Sequence, residues 1–325
     1  MRDPIFKLAR VLLLCAGLAA TTTLFSACQT TEPGQEVSLF NINRDEKHIP
    51  DLPRKDALRI AVASMITPKE TIDVYQQIVD YLGEELGRPV ELIQRKTYAE
   101  VNDLLRQHLT DIAFVCTQAY VEGNRDFGLE LVAAPVVRGQ AVYYSYLIVP
   151  LDSPARELKD LRGKSFAFTD PLSASGRLVP TYLLAREGET PESFFSNYVF
   201  TYAHSNSITA VARRIVEGAA VDSLVWDYAD ATNPKFTSRT KIIYRSEAIG
   251  SPPVVVHPDL EPGLKARLKT ALLSMNETKQ GEDILSKAMI DRFVIGDDRA
   301  YDVVRQMLDS LDKNRGSQST LPTGR

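Results

Sequence analysis

The chain has few of the residues from which metal centres and disulfide frameworks are built: three cysteines and four histidines in 325 residues. That supply leaves little for a structural metal site, and we expect neither a metal nor a cofactor. It also lacks a cationic excess, because 38 Lys and Arg face 42 Asp and Glu, and no basic block appears. A nucleic-acid partner is therefore not expected.

Familiar catalytic motifs are missing as well. The sequence contains no Gly-x-Ser-x-Gly, no His-Glu-x-x-His, no P-loop and no Gly-x-Gly-x-x-Gly. What it does have is 44% hydrophobic and 25% charged residues, which is typical of a globular protein with a sizeable core. These features favour a folded protein that is not an enzyme.

The N-terminus has the pattern of a secretory signal. The cations Arg2, Lys7 and Arg10 precede an apolar stretch at 11–18, which is too short for a stable membrane span. The following Leu24–Cys28 resembles a bacterial lipobox, with Phe25 where Leu is usual. We predict a lipoprotein signal peptide at 1–27 and lipidation of Cys28; the alternative is a cut nearby that leaves Cys28 as a spare thiol.

Polar segments flank the predicted folded body. Residues 28–56 have no sustained periodicity and are predicted to be a tether, and 312–325 a polar tail. Together with the signal, the tether predicts a protein on the periplasmic side of the cell envelope, anchored to a membrane through lipid.

Hydrophobic periodicity predicts alternating strands and helices, and therefore an α/β fold with a parallel sheet. The predicted strands are 58–63, 90–93, 111–116, 129–137, 141–149, 165–169, 198–202, 221–226, 241–245 and 254–256. The predicted helices are 68–86, 98–109, 205–217, 262–274, 283–287 and 298–311, with a short helical turn at 158–161 and a loop that runs into a helix at 173–186.

Two proline-rich crossings divide this pattern into two lobes. The predicted first lobe comprises 57–149 and 250–311, and the second comprises 150–249. Two α/β lobes joined by two crossings predict a hinged clamshell with a ligand in the cleft, lined by loops at the ends of strands.

The segment 169–177, Thr-Asp-Pro-Leu-Ser-Ala-Ser-Gly-Arg, follows one predicted strand and opens a predicted helix. The N–H groups and dipole of a helix N-terminus, with the hydroxyls of Ser173 and Ser175, favour an anion. Gly176 would let a ligand approach the backbone closely. The same serines also suit ordinary N-capping.

A second strand-to-helix turn lies at Cys116, Thr117 and Tyr120. Thr117 offers a hydroxyl donor, and Tyr120 is either a pocket wall or a core aromatic. Cys116 is the only cysteine expected in the folded body. It fits either a small buried hydrophobe or a reactive thiol at a strand end.

Two further candidates belong to the predicted second lobe. His204 precedes a helix, where its imidazole is either an anion ligand or solvent-facing. Asp222 ends an apolar strand, where a carboxylate is costly unless it has a partner. That partner is either a ligand amine or hydroxyl, or a neighbouring backbone group.

Together these segments resemble the phosphate, phosphite and phosphonate-binding proteins of ABC importers, a branch of the type II periplasmic binding proteins. The most specific match is Asp170-Pro171-x-Ser173-x-Ser175-Gly176, the family's "dp-S-t-S-G" loop. Gly87-Arg88-Pro89-Val90, the strand 111–115 and Gly218 to Asp222 also fit its pattern.

The resemblance implies a two-lobed fold that captures a small phosphorus oxyanion for an ABC permease. It implies that Ser173, Ala174, Ser175 and Gly176 bind the phosphonyl oxygens with His204. Thr117 would then close from the other lobe, and Asp222 would lie near the ligand's substituent. Ala174 replaces the usual Thr and removes one hydroxyl.

Two alternatives stay open at this point. Some relatives are sensors that feed a sensor kinase, and similar arsenite sensors use a pocket cysteine, for which Cys116 is the candidate. A thiaminase-like transferase on a type II fold would use Cys116 as nucleophile, with Asp222 as its base.

Overall fold

The computed structural model describes residues 57–63, 65 and 68–319. The predicted signal peptide 1–27, Cys28 and the tether 28–56 lie outside the described residues. Among the described residues, no helix combines the length and apolar character needed to cross a membrane.

Six of the described strands form the first sheet, in the order β13-β4-β12-β3-β1-β2. Their bounds are β1 (Leu58–Ala63), β2 (Val90–Arg95), β3 (Ile112–Phe114), β4 (Glu130–Val136), β12 (Val254–Val256) and β13 (Arg292–Ile295). β1 is parallel to β2 and β3, but β12 returns from the second half of the chain antiparallel to β3 and β4. The sheet is therefore mixed, not parallel as predicted.

Helices cover both faces of this sheet because its strands are apolar on both sides. Ile60 and Val62 pack in one core with α1 (Pro68–Leu86), α8 (Pro262–Leu273) and α9 (Lys279–Lys287). Ala61 and Ala63 point to the other core, which contains α2 (Tyr98–Arg106), α3 (Thr117–Phe127) and α10 (Asp302–Ser319). α10 continues to Ser319, so the first part of the predicted polar tail is helical.

A second sheet of five described strands has the order β10-β6-β9-β7-β8. The strands are β6 (Ser145–Pro150), β7 (Ser165–Phe168), β8 (Asn197–Phe200), β9 (Gly218–Asp222) and β10 (Thr240–Arg245). A π-helical turn (Ala174–Leu178) leads into α4 (Val179–Arg186), followed by α5 (Pro191–Phe194), α6 (His204–Ala212) and α7 (Ser223–Thr232). The chain therefore forms two α/β lobes.

Two short strands connect the lobes. β5 (Val142–Tyr143) and β11 (Ile249–Gly250) pair antiparallel, with Tyr143 opposite Ile249. β6 was predicted to belong to the first lobe, but it pairs with β9 and β10 of the second sheet. The first crossing therefore precedes Ser145 and does not lie at 149/150.

The predicted strand 221–226 is wrong beyond Asp222. Asp222 ends β9 and caps α7, because its Oδ1 accepts the Leu224 N–H at 2.7 Å. The run Val-Asp-Ser-Leu-Val-Trp looked like a continuous strand because hydrophobicity alone does not show a capping aspartate. The capped turn places Asp222 at the end of a central strand, which is where ligand-binding groups collect.

Candidate functional site

The turn at 169–177 is shaped by one of its two serines. The Oγ of Ser173 accepts the Gly176 N–H at 2.9 Å and so caps the π-helical turn. The Oγ of Ser175 is buried and has no hydrogen-bond partner. An orphaned buried hydroxyl is uncommon in a folded protein, because it loses its bonds to water without replacement. Ser175 is therefore the serine of this turn whose oxygen is free for a ligand.

Gly176 is needed for packing within the turn. A Cβ at this position would lie 2.6 Å from Thr169 Oγ1 and 2.9 Å from Ser173 Oγ. The side that we expected to face a ligand is thus filled by the protein's own side chains. The absence of a side chain at Gly176 lets the turn close on Thr169.

The first lobe presents the start of α3 at the same place. Cys116 is the N-cap residue, and Thr117 Oγ1 donates to the Gly250 carbonyl of β11 at 2.9 Å. The Thr117 proton therefore goes to a crossing strand, and only its oxygen remains as an acceptor. Thr117 ties the start of α3 to the hinge.

Tyr143 of β5 lies between the two lobes and was not predicted as a site residue. Its ring is fully buried, and its hydroxyl makes no well-formed hydrogen bond. Burial raises the pKa of Tyr143 well above its usual value, while the neighbouring hydroxyls of Thr117 and Ser175 lower it. The three hydroxyls, of Thr117, Tyr143 and Ser175, thus lie close together as one hydroxyl cluster, in which those of Tyr143 and Ser175 make no hydrogen bond of ordinary geometry.

The Cys116 thiol lies beside this cluster. Burial raises its pKa to about 12, although backbone hydrogen bonds from Ala174 and Gln118 lower it. Ala174 belongs to the second lobe and Gln118 to the first, so the sulfur bridges the two helix starts. At neutral pH Cys116 is a neutral thiol and a poor nucleophile, because the thiolate is the reactive form.

His204 is fully buried and neutral. Its Nδ1 accepts the Asp222 N–H at 3.0 Å, which assigns the ring proton to Nε2. Nε2 lies 3.5 Å from the hydroxyl of Tyr98, a residue of the first lobe. Burial lowers the pKa of His204 to about 3, so it acts as a neutral donor and not as a cation. The alternative expectation, that His204 faces solvent, is wrong.

Asp222 is an acidic group beside the hydroxyl cluster. One of its oxygens caps α7, while Oδ2 is buried without a partner. Burial raises the pKa of Asp222 to about 7. Its charge contributes to raising the pKa values of Tyr75, Tyr98 and Tyr143, so it lies within reach of all three phenols.

Tyr120 points away from the cluster. Its hydroxyl donates to Asp298 Oδ1 at 2.6 Å, and its ring packs edge-on against Tyr301 with centroids 4.9 Å apart. Of the two sequence interpretations, the structure supports the core aromatic and not the pocket wall. The hydrogen bond to Asp298, which lies 178 positions away, could not be predicted from the local sequence.

Direct hydrogen bonds hold the lobes together around the cluster. The Tyr98 N–H donates to Asp170 Oδ2 at 3.2 Å, and the His204 N–H donates to the Met65 carbonyl at 2.9 Å. Farther out, Arg138 pairs with Asp227 at 2.8 Å. The structure therefore has its lobes in contact, with the hydroxyl cluster enclosed between them.

A separate group of possible metal ligands lies outside this cluster. His108, His257 and Asp259 have ligand atoms within 4.8 Å of one another. No histidines stand close together in the sequence, and 149 positions separate His108 from His257. His257 Nδ1 already accepts the Asp259 N–H at 3.0 Å, so this nitrogen is used within the protein.

Two described proteins are similar to this chain in amino-acid sequence. The phosphonates-binding periplasmic protein of Escherichia coli (strain K12) is 24% identical over 259 residues, or 78% of this chain and 76% of the relative. The phosphate-import protein PhnD of Mycolicibacterium smegmatis is 27% identical over 241 residues, or 71% of this chain and 75% of the relative.

Solved structures share the fold. A binding protein component of an ABC phosphonate transporter from Pseudomonas aeruginosa superposes with a TM-score of 0.76 at 23% identity, covering 82% of this chain and 90% of that one. PhnD1 from Prochlorococcus marinus, solved with methylphosphonate, has a TM-score of 0.73 at 20% identity, covering 79% and 99%. The predicted two-lobed α/β fold of a type II periplasmic binding protein is confirmed.

The family itself is established by a match over most of the chain. The protein-family model described as "ABC transporter, phosphonate, periplasmic substrate-binding protein" matches residues 60–301. This confirms the resemblance found in the sequence and indicates a periplasmic protein. The chain belongs to the family of periplasmic substrate-binding proteins of phosphonate ABC transporters.

Proposed function

We propose that this protein captures a small phosphorus oxyanion, namely a phosphonate, phosphite or phosphate, in the cleft between its lobes and presents it to an ABC permease. The observation that carries the proposal is the pair of buried, unpartnered hydroxyls of Ser175 and Tyr143. They meet where a π-helical turn from one lobe faces the start of α3 from the other. Both hydroxyls can donate to the oxygens of an anion.

The ligand would be held by dipoles and hydroxyls, without a direct ion pair. Arg177, which ends the turn, lies over the Phe168 ring at 4.4 Å and donates to Thr181. The neutral donors would be the Ser175 and Tyr143 hydroxyls and the Nε2–H of His204. Preorganised donors in an enclosed cleft bind anions well because charge-assisted hydrogen bonds strengthen as water is excluded.

Asp222 would select the protonation state of the ligand. Its free Oδ2 can accept a hydrogen bond from the hydroxyl group of a hydrogen phosphonate or hydrogen phosphate. Sulfate at neutral pH carries no proton, so an ionised Asp222 would repel it and a protonated Asp222 would be needed to bind it. We therefore expect phosphorus oxyanions to be preferred over sulfate.

The proposal requires no catalysis. Cys116 is the nucleophile that a thiaminase-like transferase would need, but burial raises the pKa of its thiol to about 12. Asp222 also raises the pKa of that thiol, which is the opposite of activation. A binding role accounts for the buried hydroxyls without a reactive thiolate.

We further propose that the lipid on Cys28 keeps the protein at the membrane, close to its permease. The support is the sequence Leu24–Cys28 after a short apolar stretch. An acylated N-terminal cysteine with several chains gives stable anchoring. The polar tether 28–56 would then give the binding lobes reach to the permease.

A ligand panel tests the proposed function. The full chain, purified in detergent, is titrated with phosphate, phosphite, methylphosphonate and sulfate while its Tm is followed. A ligand at 100 times its Kd adds about 2.7 kcal/mol to the free energy of unfolding. We expect the Tm to rise with at least one phosphorus oxyanion and not with sulfate. No rise with any of the three would contradict the proposal.

A further inference from the structure

Two of the four histidines of the chain lie side by side on the first lobe. The ring centroids of His108 and His257 are 3.7 Å apart, and Asp259 lies next to both rings. One nitrogen from each ring and one carboxylate oxygen lie within 4.8 Å of one another. Among the described residues, these three are the histidine and acidic side chains that come close enough together to share one metal ion.

The three groups are close together without satisfying one another. Asp259 Oδ2 lies 3.9 Å from His108 Nε2 and 3.8 Å from His257 Nδ1, and both distances are too long for a hydrogen bond. Ligand atoms that share a tetrahedral zinc ion at about 2 Å lie about 3.3 Å apart. The side chains of His108 and Asp259 are 57% and 76% exposed, so small rotations of both can close that gap.

His257 is the fixed member of the group. It is buried, directly follows β12 and lies nearly parallel to the Phe127 ring. Its Nδ1 accepts the Asp259 N–H at 3.0 Å, so this nitrogen has a free lone pair and carries no proton. A metal ion would take the place of that N–H, which can bond to water instead because Asp259 lies at the surface.

His108 occupies a position where glycine is the usual residue. It follows the end of α2 with φ of +57°, and the Leu109 N–H donates to the Leu104 carbonyl at 2.8 Å, as in a Schellman C-cap. A residue with a Cβ is less stable than glycine in this left-handed conformation. The turn nevertheless carries an imidazole, and it places that ring beside His257.

The local charge also suits a cation. Lys265 is the nearby base, with its ammonium 3.3 Å from the Pro258 carbonyl, but it pairs with Glu130 at 2.6 Å. The Asp259 carboxylate is therefore an anion beside two imidazoles. Imidazole nitrogens suit zinc, nickel and copper ions, whereas Mg²⁺ and Ca²⁺ take oxygen ligands.

We propose that His108, His257 and Asp259 form a surface site for a divalent transition-metal ion of the zinc class. Three protein ligands leave the fourth position of a tetrahedral ion to water. The site joins the end of α2 to the segment between β12 and α8, so the ion should stabilise the first lobe. The low histidine count argued against a metal centre, because composition does not show which histidines meet in the fold.

The proposed metal site is separate from the proposed oxyanion site. β12 runs antiparallel to β3, with Val256 opposite Ile112. His257 therefore lies at the edge of the first sheet where β3 begins, whereas Cys116 and the hydroxyl cluster follow the end of β3. Metal binding should leave oxyanion affinity unchanged, and the two proposals can fail independently.

A zinc titration of the full chain tests the proposal. The protein is purified in detergent, freed of metal with EDTA and dialysed into a buffer without chelator. Calorimetry gives the stoichiometry and Kd, while the Tm is followed in parallel. We expect one Zn²⁺ per chain and a Tm that rises with Zn²⁺ or Ni²⁺ and not with Mg²⁺, because an ion that binds only the folded state stabilises it. No rise with Zn²⁺, or an equal rise with Mg²⁺, would overturn the proposal.

Ligand variants locate the ion. Asparagine tolerates the left-handed conformation, so His108→Asn removes a ligand without breaking the turn, and Asp259→Asn removes the charge. Each should weaken zinc binding at least about tenfold, since even the loss of a group behind a metal ligand typically costs about 10–100-fold. The matched control is His48→Asn in the predicted tether, which should keep the wild-type Kd. Wild-type zinc affinity in both ligand variants would place the ion elsewhere and overturn the proposal.

Discussion

At the scale of the residue, neighbouring groups of the same chemical type have different tasks. Ser173 and Ser175 are two positions apart in one turn, yet Ser173 holds the turn together and Ser175 has an orphaned hydroxyl. The difference arises because the π-helical turn directs one side chain back onto its own backbone. Substitutions can therefore separate the roles.

We predict that Ser175→Ala weakens oxyanion binding without weakening the fold. Losing a hydrogen bond to a charged ligand costs roughly 1.5–3 kcal/mol, or tenfold and more in Kd. The free energy of unfolding should stay the same or rise, because an unsatisfied buried hydroxyl is removed. Calorimetry and urea unfolding measure the two effects.

Ser173→Ala is the matched control for that experiment. It removes the acceptor for the Gly176 N–H, and the loss of such a cap typically costs about 1 kcal/mol of folding stability. A Ser175→Ala protein that binds phosphorus oxyanions as well as the wild type would exclude Ser175 from the binding site.

The buried carboxyl of Asp222 predicts a pH dependence of stability. Its pKa is raised from 3.8 to about 7 by burial, so the folded state favours the protonated form. The contribution of Asp222 to the free energy of unfolding is complete below pH 3.8 and is lost as the pH rises through 7. Relative to wild type, Asp222→Asn should therefore gain stability between pH 4 and 8, by at most about 4 kcal/mol.

Urea unfolding of both proteins across that pH range measures the difference. His204 acts in the opposite direction, because its pKa is lowered from 6.5 to about 3 and its contribution is lost as the pH falls through that range. A difference between wild type and Asp222→Asn that does not change with pH would show that Asp222 does not titrate in this window.

At the scale of the element, the site depends on how tightly the turn between β7 and α4 closes. The Cβ that Gly176 lacks would meet both the Oγ1 and the Cβ of Thr169. Neither atom is the far end of a flexible side chain, so the turn itself would have to shift. This makes the turn sensitive to a single methyl group.

We predict that Gly176→Ala destabilises the fold by about 1–3 kcal/mol, as overpacking usually does, and also weakens ligand binding. Chemical unfolding and calorimetry measure these effects. The control is Gly188→Ala, where φ is +74° and nothing lies within 4 Å of the added Cβ. That variant should lose stability through backbone strain alone and keep its affinity. Wild-type affinity in Gly176→Ala would contradict the role given to this turn.

At the scale of the whole molecule, two lobes and two crossing strands bury the hydroxyl cluster between them. Contacts such as Tyr98 to Asp170 join the lobes directly, while β5 and β11 connect them at one edge. Among the described residues, β5 and β11 are the short strands that link the two sheets, so we expect the lobes to move about this edge. Binding would then combine ligand capture with lobe closure.

Membrane attachment is the prediction that concerns the complete chain. Cys28→Ala removes the residue that would carry the lipid. After cells are lysed and their membranes are sedimented, we therefore expect this variant in the supernatant and not in the membrane fraction. Cys116→Ser is the control, because it removes a buried thiol and leaves the lipobox intact; it should still sediment. A Cys28→Ala protein that remains with the membranes would contradict the lipid anchor.

The sequence by itself determined the features that depend on neighbours in the chain. Alternating apolar segments predicted most strands and helices of both lobes, although α3 and α7 were missed. Asp170 to Gly176 indicated the turn and the family. Such signals are readable because helix starts, turns and periodicity are local. Long elements such as β1, α1 and β4 were predicted within a few residues for the same reason.

Only the tertiary structure decided which groups are left without partners. A crossing strand brings Tyr143 into the hydroxyl cluster, and a lobe contact brings Tyr98 next to His204. Nothing in the local sequence of either residue indicates this. The tertiary structure likewise pairs the Tyr120 hydroxyl with Asp298 and places β6 in the second sheet. The physical reason is that hydrogen-bond satisfaction and cavity shape are set by residues far apart in sequence, such as Val115 and Leu224 around one cavity.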